Sequence, residues 1–171
     1  MTTLVFDIVE KVLYTDSRAT HTIASSLKGK VGTRIQDDFT KVFPSGDRDV
    51  VYTGTGDVEA IEGFFKSCRK GRIPKSLRAD TAAYIVNKLP ELCITQYVGT
   101  GKGVRVSKVP ATKFHTNGSG SGYFSGALVA LGSKSSDVGK AFEATFEMDN
   151  GSGGKVCEYD LSGKWFDEDK C

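Results

Sequence analysis

The chain opens with the stretch Met1-Thr2-Thr3-Leu4-Val5-Phe6-Asp7, which is followed by Val12-Leu13-Tyr14-Thr15-Asp16-Ser17-Arg18-Ala19-Thr20. Both runs are rich in β-branched and aromatic residues, and the short break between them predicts a β-hairpin. In that hairpin the numbers of paired residues sum to about twenty, so Asp16 lies opposite or diagonal to Thr2, roughly 5–8 Å away. The pattern therefore brings a carboxylate to the start of the chain.

Thr2 would become the first residue if Met1 were removed, and it would then carry a hydroxyl and a free α-amine together. An α-amine titrates near pH ~8, so it can accept the hydroxyl proton close to neutral pH without help from a histidine. Thr2 is therefore a candidate nucleophile with its own base. The alternative from these residues alone is that Thr2 only opens an edge strand.

The composition indicates an ordinary globular protein. With 171 residues, 39% of them hydrophobic and 26% charged, we expect a single domain over residues 1–171, with a polar tail from about residue 162. A net charge of +2 gives no reason to expect nucleic acid or an acidic membrane as a partner. The sequence has neither an apolar run of roughly 18 residues nor a signal-peptide pattern, so we expect a cytoplasmic protein, with a place in a larger particle as an alternative.

Metal, cofactor and disulfide chemistry are not expected from the sequence. Cys68, Cys93, Cys157 and Cys171 are widely spaced and form no Cys-x-x-Cys pair, so reduced thiols are expected. Two histidines are too few for a histidine-based metal site. The loop 99–103 is rich in glycine, but it lacks the spacing of a nucleotide-binding loop.

The remaining periodicity predicts an α+β order of elements. Residues 21–38 are expected to form a long loop. Helices are predicted at 57–70 and 76–89 before a pair of strands, and at 123–131 and 135–148 before a last strand. Because the first strands are apolar on both faces, we expect a sheet that is covered on both sides, and two such sheets stacked between helices suit this order of elements.

Three stretches together resemble one family of proteins. They are Thr2-Thr3-Leu4-Val5 with Asp16-Ser17-Arg18-Ala19-Thr20, then Gly118-Ser119-Gly120-Ser121-Gly122-Tyr123, and then Asp149-x-x-Ser152-Gly153-Gly154. They are similar to the opening strand, the Asp-x-Arg-Ala-Thr turn, the Gly-Ser-Gly-Ser-x-Tyr helix start and the Asp-x-x-Ser-Gly-Gly turn of the proteasome β-subunit and HslV-like N-terminal nucleophile (Ntn) hydrolases. The resemblance covers most of the chain. It implies an α+β fold, the four-layer αββα Ntn-hydrolase sandwich of two antiparallel sheets between helix layers, and amide-bond hydrolysis through an acyl-enzyme.

The resemblance also implies catalytic positions. It places the nucleophile on Thr2, its supporting aspartate on Asp16, a serine near the α-amine on Ser119, and a last pair on Asp149 and Ser152. Hydroxyls and carboxylates around an amine can orient it and set its proton affinity. Serine is equally common in turns and at helix starts, which is the structural alternative for both serines.

A lysine beside the nucleophile is a further implication, because its positive charge lowers the pKa of the hydroxyl. Lys41 is the expected residue, since it lies in a strand-like run, and Lys28 or Lys30 are alternatives that lie closer to the family's usual spacing. In the family, backbone amides before the first helix form the oxyanion hole. The resemblance thus implies Thr53 and Gly54 as substrate-binding residues.

The resemblance finally implies partners. We expect peptides or unfolded proteins as substrates, a closed homo-oligomeric ring of about six or seven subunits, and an ATP-dependent unfoldase as a candidate partner. Phe64 and Tyr84 are expected to be exposed at the contacts between subunits. Two alternatives are a catalytically silent member that keeps Met1 and has a structural or assembly role, and an amidase that acts on a small non-peptide substrate.

Overall fold

The computed structural model of the chain describes residues 2–24, 31–37, 39–46 and 49–163. The described strands are β1 (Thr3–Asp7), β2 (Val12–Asp16), β3 (Ala19–Ala24), β4 (Val31–Gln36), β5 (Val42–Pro44), β6 (Val50–Thr55), β7 (Ala82–Asn87), β8 (Cys93–Gly99), β9 (Val104–Lys108), β10 (Phe114–Gly118) and β11 (Val156–Asp160). The described helices are α1 (Val58–Arg69), α2 (Ser121–Ala130) and α3 (Val138–Met148), and a 3-10 turn at Ser135–Asp137 precedes α3. None of these helices has the length and apolar character needed to cross a membrane.

The predicted N-terminal hairpin lies at the centre of the first sheet. The strand order of that sheet is β10-β1-β2-β11, and Leu4 pairs with Thr15 in the predicted antiparallel register. The second sheet has the order β5-β6-β7-β8-β9, and its neighbouring strands are also antiparallel. The strands β3 and β4 form a separate hairpin.

Both faces of β1 are buried, because its side chains alternate between two hydrophobic layers. Leu4 and Phe6 pack between the two sheets, whereas Val5 packs against residues of α2 and α3. Ile61 and Phe65 of α1 cover the outer face of the second sheet. The layers therefore follow the order α1, second sheet, first sheet, α2 with α3, which confirms the predicted αββα sandwich.

The helix predicted at residues 76–89 is wrong. The segment instead contains β7, the central strand of the second sheet. Tyr84 and Val86 point into the layer between the sheets, while Ala83 packs in the layer under α1. A short apolar run that is buried on both faces cannot be distinguished from a buried helix by periodicity alone.

The loop predicted at residues 21–38 is also wrong, because β3 and β4 occupy most of it. Ala19 pairs with Gln36, and Ala24 pairs with Val31. Val31, Thr33 and Ile35 alternate with Gly32, Arg34 and Gln36, which is a strand pattern. The Ser-, Gly- and Lys-rich residues that precede them favoured the prediction of a loop.

The expected exposure of two aromatic residues is wrong as well. Phe64, on the face of α1 that covers the second sheet, is 2% exposed, and Tyr84 is fully buried between the sheets. Large apolar side chains that do face outward include Tyr123 and Val129 on α2.

The cysteines differ in state. Cys68 and Cys93 are free thiols. Cys157 on β11 is disulfide-bonded, so the expectation of reduced thiols is wrong for this residue. Pairing depends on how close the fold brings two Cα atoms, and the spacing of cysteines in a sequence does not contain that distance.

Candidate active site

Asp16 and Lys41 form a buried ion pair beside the start of β1. Lys41 Nζ lies 2.8 Å from Asp16 Oδ1, and the two side chains are 5% and 0% exposed. The same Oδ1 accepts a hydrogen bond from the Thr3 amide at 2.7 Å, and Oδ2 accepts one from the Gly153 amide at 3.2 Å. The Asp16 carboxylate on β2 is therefore bound by three separate parts of the chain, through Lys41, Thr3 and Gly153.

Burial shifts the pKa values of both partners towards the neutral forms. Desolvation lowers the pKa of the Lys41 ammonium, and the charge of Asp16 opposes this shift. Desolvation likewise raises the pKa of Asp16, against the opposing effects of Lys41 and of the two backbone amides. Removing two charges from water is costly, so such a pair adds little to stability, and perturbed groups of this kind concentrate at functional sites.

Lys41 and Thr2 line the same narrow cleft, whose volume of about 20 Å³ has room for roughly one water molecule. The other residues that line it are Phe39, Phe43, Gly54, Gly56, Val58, Ile61 and Glu62. Thr2 is only 6% exposed. The start of the chain therefore borders a mostly apolar cleft that also contains the lysine of the ion pair.

Thr53 and Gly54 take different positions relative to this cleft. Gly54 lines it, and a Cβ atom here would lie 2.8 Å from the Ala82 carbonyl oxygen and 3.1 Å from the Ile61 side chain. Thr53 is absent from the described lining, and its hydroxyl donates to the Lys41 carbonyl oxygen at 2.9 Å. Gly54 thus borders the cleft, while Thr53 supports the backbone of Lys41.

Ser119, Asp149 and Ser152 lie together, as their common motif positions suggested. Asp149 Oδ2 accepts hydrogen bonds from Ser119 Oγ and Ser152 Oγ, each at 2.7 Å, and Oδ1 accepts one from the Gly151 amide at 3.1 Å. Desolvation acts to raise the pKa of Asp149, but these hydrogen bonds outweigh it and lower the pKa below its usual value. Asp149 is therefore negatively charged at neutral pH.

Thr3 connects the Asp16–Lys41 pair with the group of Ser119, Asp149 and Ser152, and no role was predicted for it from the sequence. Its amide donates to Asp16, and its Oγ1 lies 2.6 Å from Ser152 Oγ, with both residues fully buried. Because the single hydroxyl proton of Ser152 goes to Asp149, Thr3 is the donor to Ser152. A Cβ atom at Gly120 would collide with Thr3 Oγ1, which explains the glycine at that position.

Arg18 is a second residue whose contacts the sequence motif did not reveal. Its Nε donates to Asp37 Oδ1 at 2.6 Å, and its Nη1 donates to the Ser152 carbonyl oxygen at 3.3 Å. Its amide also donates to the Gly153 carbonyl oxygen at 3.1 Å. Arg18 therefore fixes the turn that carries Ser152 and Gly153. The alternatives for the lysine, Lys28 and Lys30, lie outside the described residues.

Comparisons by sequence find no relative, because neither a protein-family profile nor a curated protein matches the chain. Solved structures do match. Eukaryotic HslV from Trypanosoma brucei is 13% identical with a TM-score of 0.58, over 92% of this chain and 97% of that chain. Thiobacillus denitrificans BPH in complex with epoxomicin is 16% identical with a TM-score of 0.59, over 95% and 100%.

A third match is the Gly-1 mutant of Anbu from Hyphomicrobium sp. strain MC1. It is 14% identical with a TM-score of 0.64, over 98% of this chain and 84% of that chain. Identities this low establish the fold alone. Because the matches extend over nearly the whole chain, the chain has the proteasome β-subunit and HslV-like fold of the Ntn hydrolases.

Proposed function

We propose that this chain is a threonine-type Ntn peptidase, which hydrolyses amide bonds through an acyl-enzyme on Thr2 after Met1 is removed. The observation that carries the proposal is the buried Asp16–Lys41 pair, because its lysine lines the same cleft as Thr2. A stability role alone gives no reason to bury two charges beside the start of the chain. The low-identity structural matches support the same family of reactions.

In the proposed reaction the α-amine of Thr2 accepts the hydroxyl proton, and the hydroxyl oxygen attacks the substrate carbonyl carbon. The leaving amine takes up that proton as the amide bond breaks, which leaves an ester on Thr2. Water then hydrolyses the ester and regenerates the hydroxyl. The charge of Lys41 lowers the pKa of the hydroxyl, and backbone amides near Gly54 stabilise the oxyanion.

The polar group of Ser119, Asp149 and Ser152 would act on the α-amine of Thr2. Asp149 is negatively charged, and Ser119 and Ser152 fix the orientation of its carboxylate. A carboxylate near an amine raises the pKa of that amine, while ordered hydroxyls restrict the directions of its hydrogen bonds. We therefore assign Ser119, Asp149 and Ser152 to the orientation and tuning of the α-amine, and Asp16 to the orientation of Lys41.

We also propose the setting of the reaction. The substrates are peptides or unfolded proteins, and the single domain assembles into a closed cytoplasmic ring that encloses Thr2, fed by an ATP-dependent unfoldase. The apolar surface of α2 supports assembly, because that helix contains no charged residue and exposes Tyr123 and Val129. Light scattering tests this part, since a monomeric mass in a sample that cleaves peptides would contradict the ring.

Peptide hydrolysis by the purified, processed protein tests the main proposal. Thr2→Ala should abolish turnover, because the hydroxyl is the proposed nucleophile. Thr2→Ser keeps a hydroxyl and should retain measurable turnover. Wild-type turnover in Thr2→Ala would contradict the peptidase. A chain that keeps Met1 and hydrolyses nothing would support the alternative of a silent structural member, since its Thr2 would have no free α-amine.

A further inference from the structure

We propose that Asn117 is a positioning residue for Thr2, and that it holds Thr2 in place only while His115 is neutral. The inference rests on the proposed function, and it names a way in which the same site is regulated. Its basis is a chain of hydrogen bonds between the two sheets, which starts at His115 and ends at the backbone beside Thr2.

The turn at Gly118 lies directly against the proposed nucleophile. The strand β10 runs antiparallel to β1, and Gly118 pairs with Thr3 at the end of this ladder. Gly118 has a φ of 103°, in the left-handed region that favours glycine, and a Cβ atom here would collide with the Thr2 carbonyl oxygen. The backbone of Gly118 therefore limits where the start of the chain can lie.

Asn117 connects this turn to the second sheet. Its Oδ1 accepts a hydrogen bond from the Gly118 amide at 2.6 Å, and its Nδ2 donates to Tyr84 OH at 2.5 Å. Because Oδ1 faces an N–H donor, the orientation of the side-chain amide is fixed, and Nδ2 has to point towards Tyr84. The position of the turn therefore depends on the bond between Asn117 and Tyr84.

The hydroxyl of Tyr84 can accept this bond only if His115 is unprotonated at Nε2. The oxygen of Tyr84 also accepts from Gln96 Nε2 at 2.8 Å, and His115 Nε2 lies 3.3 Å away. The two amide donors occupy both lone pairs of the oxygen, so its single proton goes to His115. A protonated His115 would present a third donor and leave the hydroxyl proton without its acceptor.

The topology indicates that Asn117 is the donor that leaves. Gln96 on β8 pairs directly with Tyr84 on β7, so the backbone of one sheet keeps these two side chains together. Asn117 and His115 both lie on β10, two residues apart on the same face of the strand. A charged His115 that withdraws from Tyr84 therefore draws Asn117 away with it, and the turn at Gly118 moves.

The groups around His115 set the direction of the pH dependence. Its ring contacts Phe6 of β1 and Tyr84 of β7, with ring centroids 6.1 and 5.9 Å apart, and Gln96 of β8 is neutral. Burial lowers the pKa of His115, and no charged group in the described part of the chain contributes to this shift. Burial raises the pKa of Tyr84 to about 12, so Tyr84 stays neutral. Asn117 therefore holds the turn above the lowered pKa of His115 and releases it as the pH falls through that value.

An NMR titration of the processed wild-type protein tests the inference without hydrolysis. Ring-labelled histidine reports on His115, and threonine labelled with ¹³C at its methyl group reports on Thr2, whose signal is assigned with Thr2→Ala. Apart from the step of the α-amine near pH ~8, the Thr2 methyl and the Gly118 amide should show a step with the midpoint of His115. This step should be absent in His115→Gln. Signals of Thr2 and Gly118 that do not follow His115 would overturn the inference.

Two variants distinguish positioning from a purely structural role. Asn117→Leu keeps the approximate shape of the side chain but has no hydrogen-bonding atom, so kcat should fall about tenfold with little change in KM. Gln96→Leu is the matched control, because it removes the other donor to the Tyr84 hydroxyl from within the second sheet. Its kcat at pH 7.5 should stay close to wild type. Equal losses of kcat in the two variants would overturn the positioning role.

The pH profile of kcat gives a further readout. Activity falls in acid as the α-amine is protonated, and in wild type the release of Asn117 adds to this loss. The wild-type profile should therefore fall more steeply than that of His115→Gln, whereas parallel profiles would contradict the regulation. A protein that hydrolyses no peptide, but in which Thr2 follows His115 by NMR, would support the inference and count against the peptidase proposal alone.

Discussion

Asp16 accepts one hydrogen bond from the charged Lys41 side chain and two from the neutral backbone amides of Thr3 and Gly153. The charged donor and the neutral donors contribute differently to stability. The amides orient the carboxylate, but only Lys41 balances its charge. Removing one partner of a buried ion pair leaves an uncompensated charge in a low-dielectric interior. Lys41, the lysine proposed for catalysis, is therefore also needed to balance the charge of the buried Asp16 carboxylate.

Lys41→Met should destabilise the fold by about 3–5 kcal/mol at pH 7, because the Asp16 carboxylate would remain buried without its cation. Urea unfolding measures the loss. Lys108→Met, at an exposed residue of β9, is the matched control and should change stability little. The double variant Asp16→Asn with Lys41→Met should recover much of the loss, since it removes both charges.

The loss in Lys41→Met should also depend on pH. Lys41 lowers the pKa of Asp16, so its removal raises that pKa further above the unfolded value. Between the unfolded and the folded pKa of Asp16, the folded state of Lys41→Met then binds more protons than the unfolded state. The loss of stability in Lys41→Met is therefore largest above the folded pKa. It should shrink as the pH falls towards the unfolded value of about 3.9. A deficit of equal size at pH 7 and pH 4.5 would contradict the buried pair.

Thr3→Val should raise the pKa of Asp149, whereas Thr3→Ser should leave it close to wild type. Valine has nearly the shape of threonine but cannot donate to Ser152, so Ser152 is held less firmly against the carboxylate. The buried Ser152 oxygen also loses its donor, which should cost about 1–3 kcal/mol of stability. An NMR titration of the Asp149 carboxyl measures the shift. Identical pKa values of Asp149 in the two variants would show that the hydrogen bond from Thr3 to Ser152 does not affect this carboxyl group.

At the scale of elements, the turn before α2 must pass close to β1. A Cβ atom at Gly120 would lie 2.6 Å from the Thr145 side chain and 2.8 Å from Ser152 Oγ, in addition to its collision with Thr3. Gly126, inside α2, has open space at the same atom. Close packing therefore requires glycine at position 120, whereas position 126 has space for a side chain.

Gly120→Ala should destabilise the protein by about 1–3 kcal/mol, because the added methyl group overpacks the buried hydroxyls. Gly126→Ala is the matched control and should be neutral or stabilising by up to about 1 kcal/mol, since alanine favours a helix interior. Thermal unfolding measures both. Equal effects of the two substitutions would mean that α2 does not approach β1 in this way.

Much of this arrangement could be predicted from the sequence, because it follows from local patterns. The hairpin of β1 and β2, the helix α1 and the three motifs have clear periodicity or turn residues. The strand β7 could not be separated from a helix, since both of its faces are buried. The role of Thr3 was not apparent either, because the sequence does not show which buried hydroxyl lies opposite it.

At the scale of the whole molecule, a partly buried polar cluster around Tyr84 connects the two sheets. Tyr84 OH of the second sheet accepts from Asn117 Nδ2 at 2.5 Å and from Gln96 Nε2 at 2.8 Å. Its own proton then goes to His115 Nε2 of the first sheet, at 3.3 Å. Burial raises the pKa of Tyr84 to about 12 and lowers that of His115. The cluster therefore requires a neutral His115 with an unprotonated Nε2.

Stability should fall as the pH drops below the unfolded histidine value of about 6.5. Burial lowers the folded pKa of His115, so the unfolded state binds more protons in this window and acid favours unfolding. The effect levels off below the folded pKa. His115→Gln can still accept from Tyr84 but does not titrate, so its stability should change less between pH 7.5 and 5.5. Equal changes in urea unfolding for both proteins would contradict this view of the cluster.

The proposed nucleophile is Thr2, which starts the chain once Met1 is removed. A peptide β-lactone acylates a nucleophilic hydroxyl, so mass spectrometry of the treated protein, with the adduct mapped by fragmentation, tests this assignment. We expect loss of one methionine and a single adduct on Thr2, with no adduct in Thr2→Ala and little in Lys41→Met. A processed chain without an adduct on Thr2, or a chain that retains Met1, would contradict it.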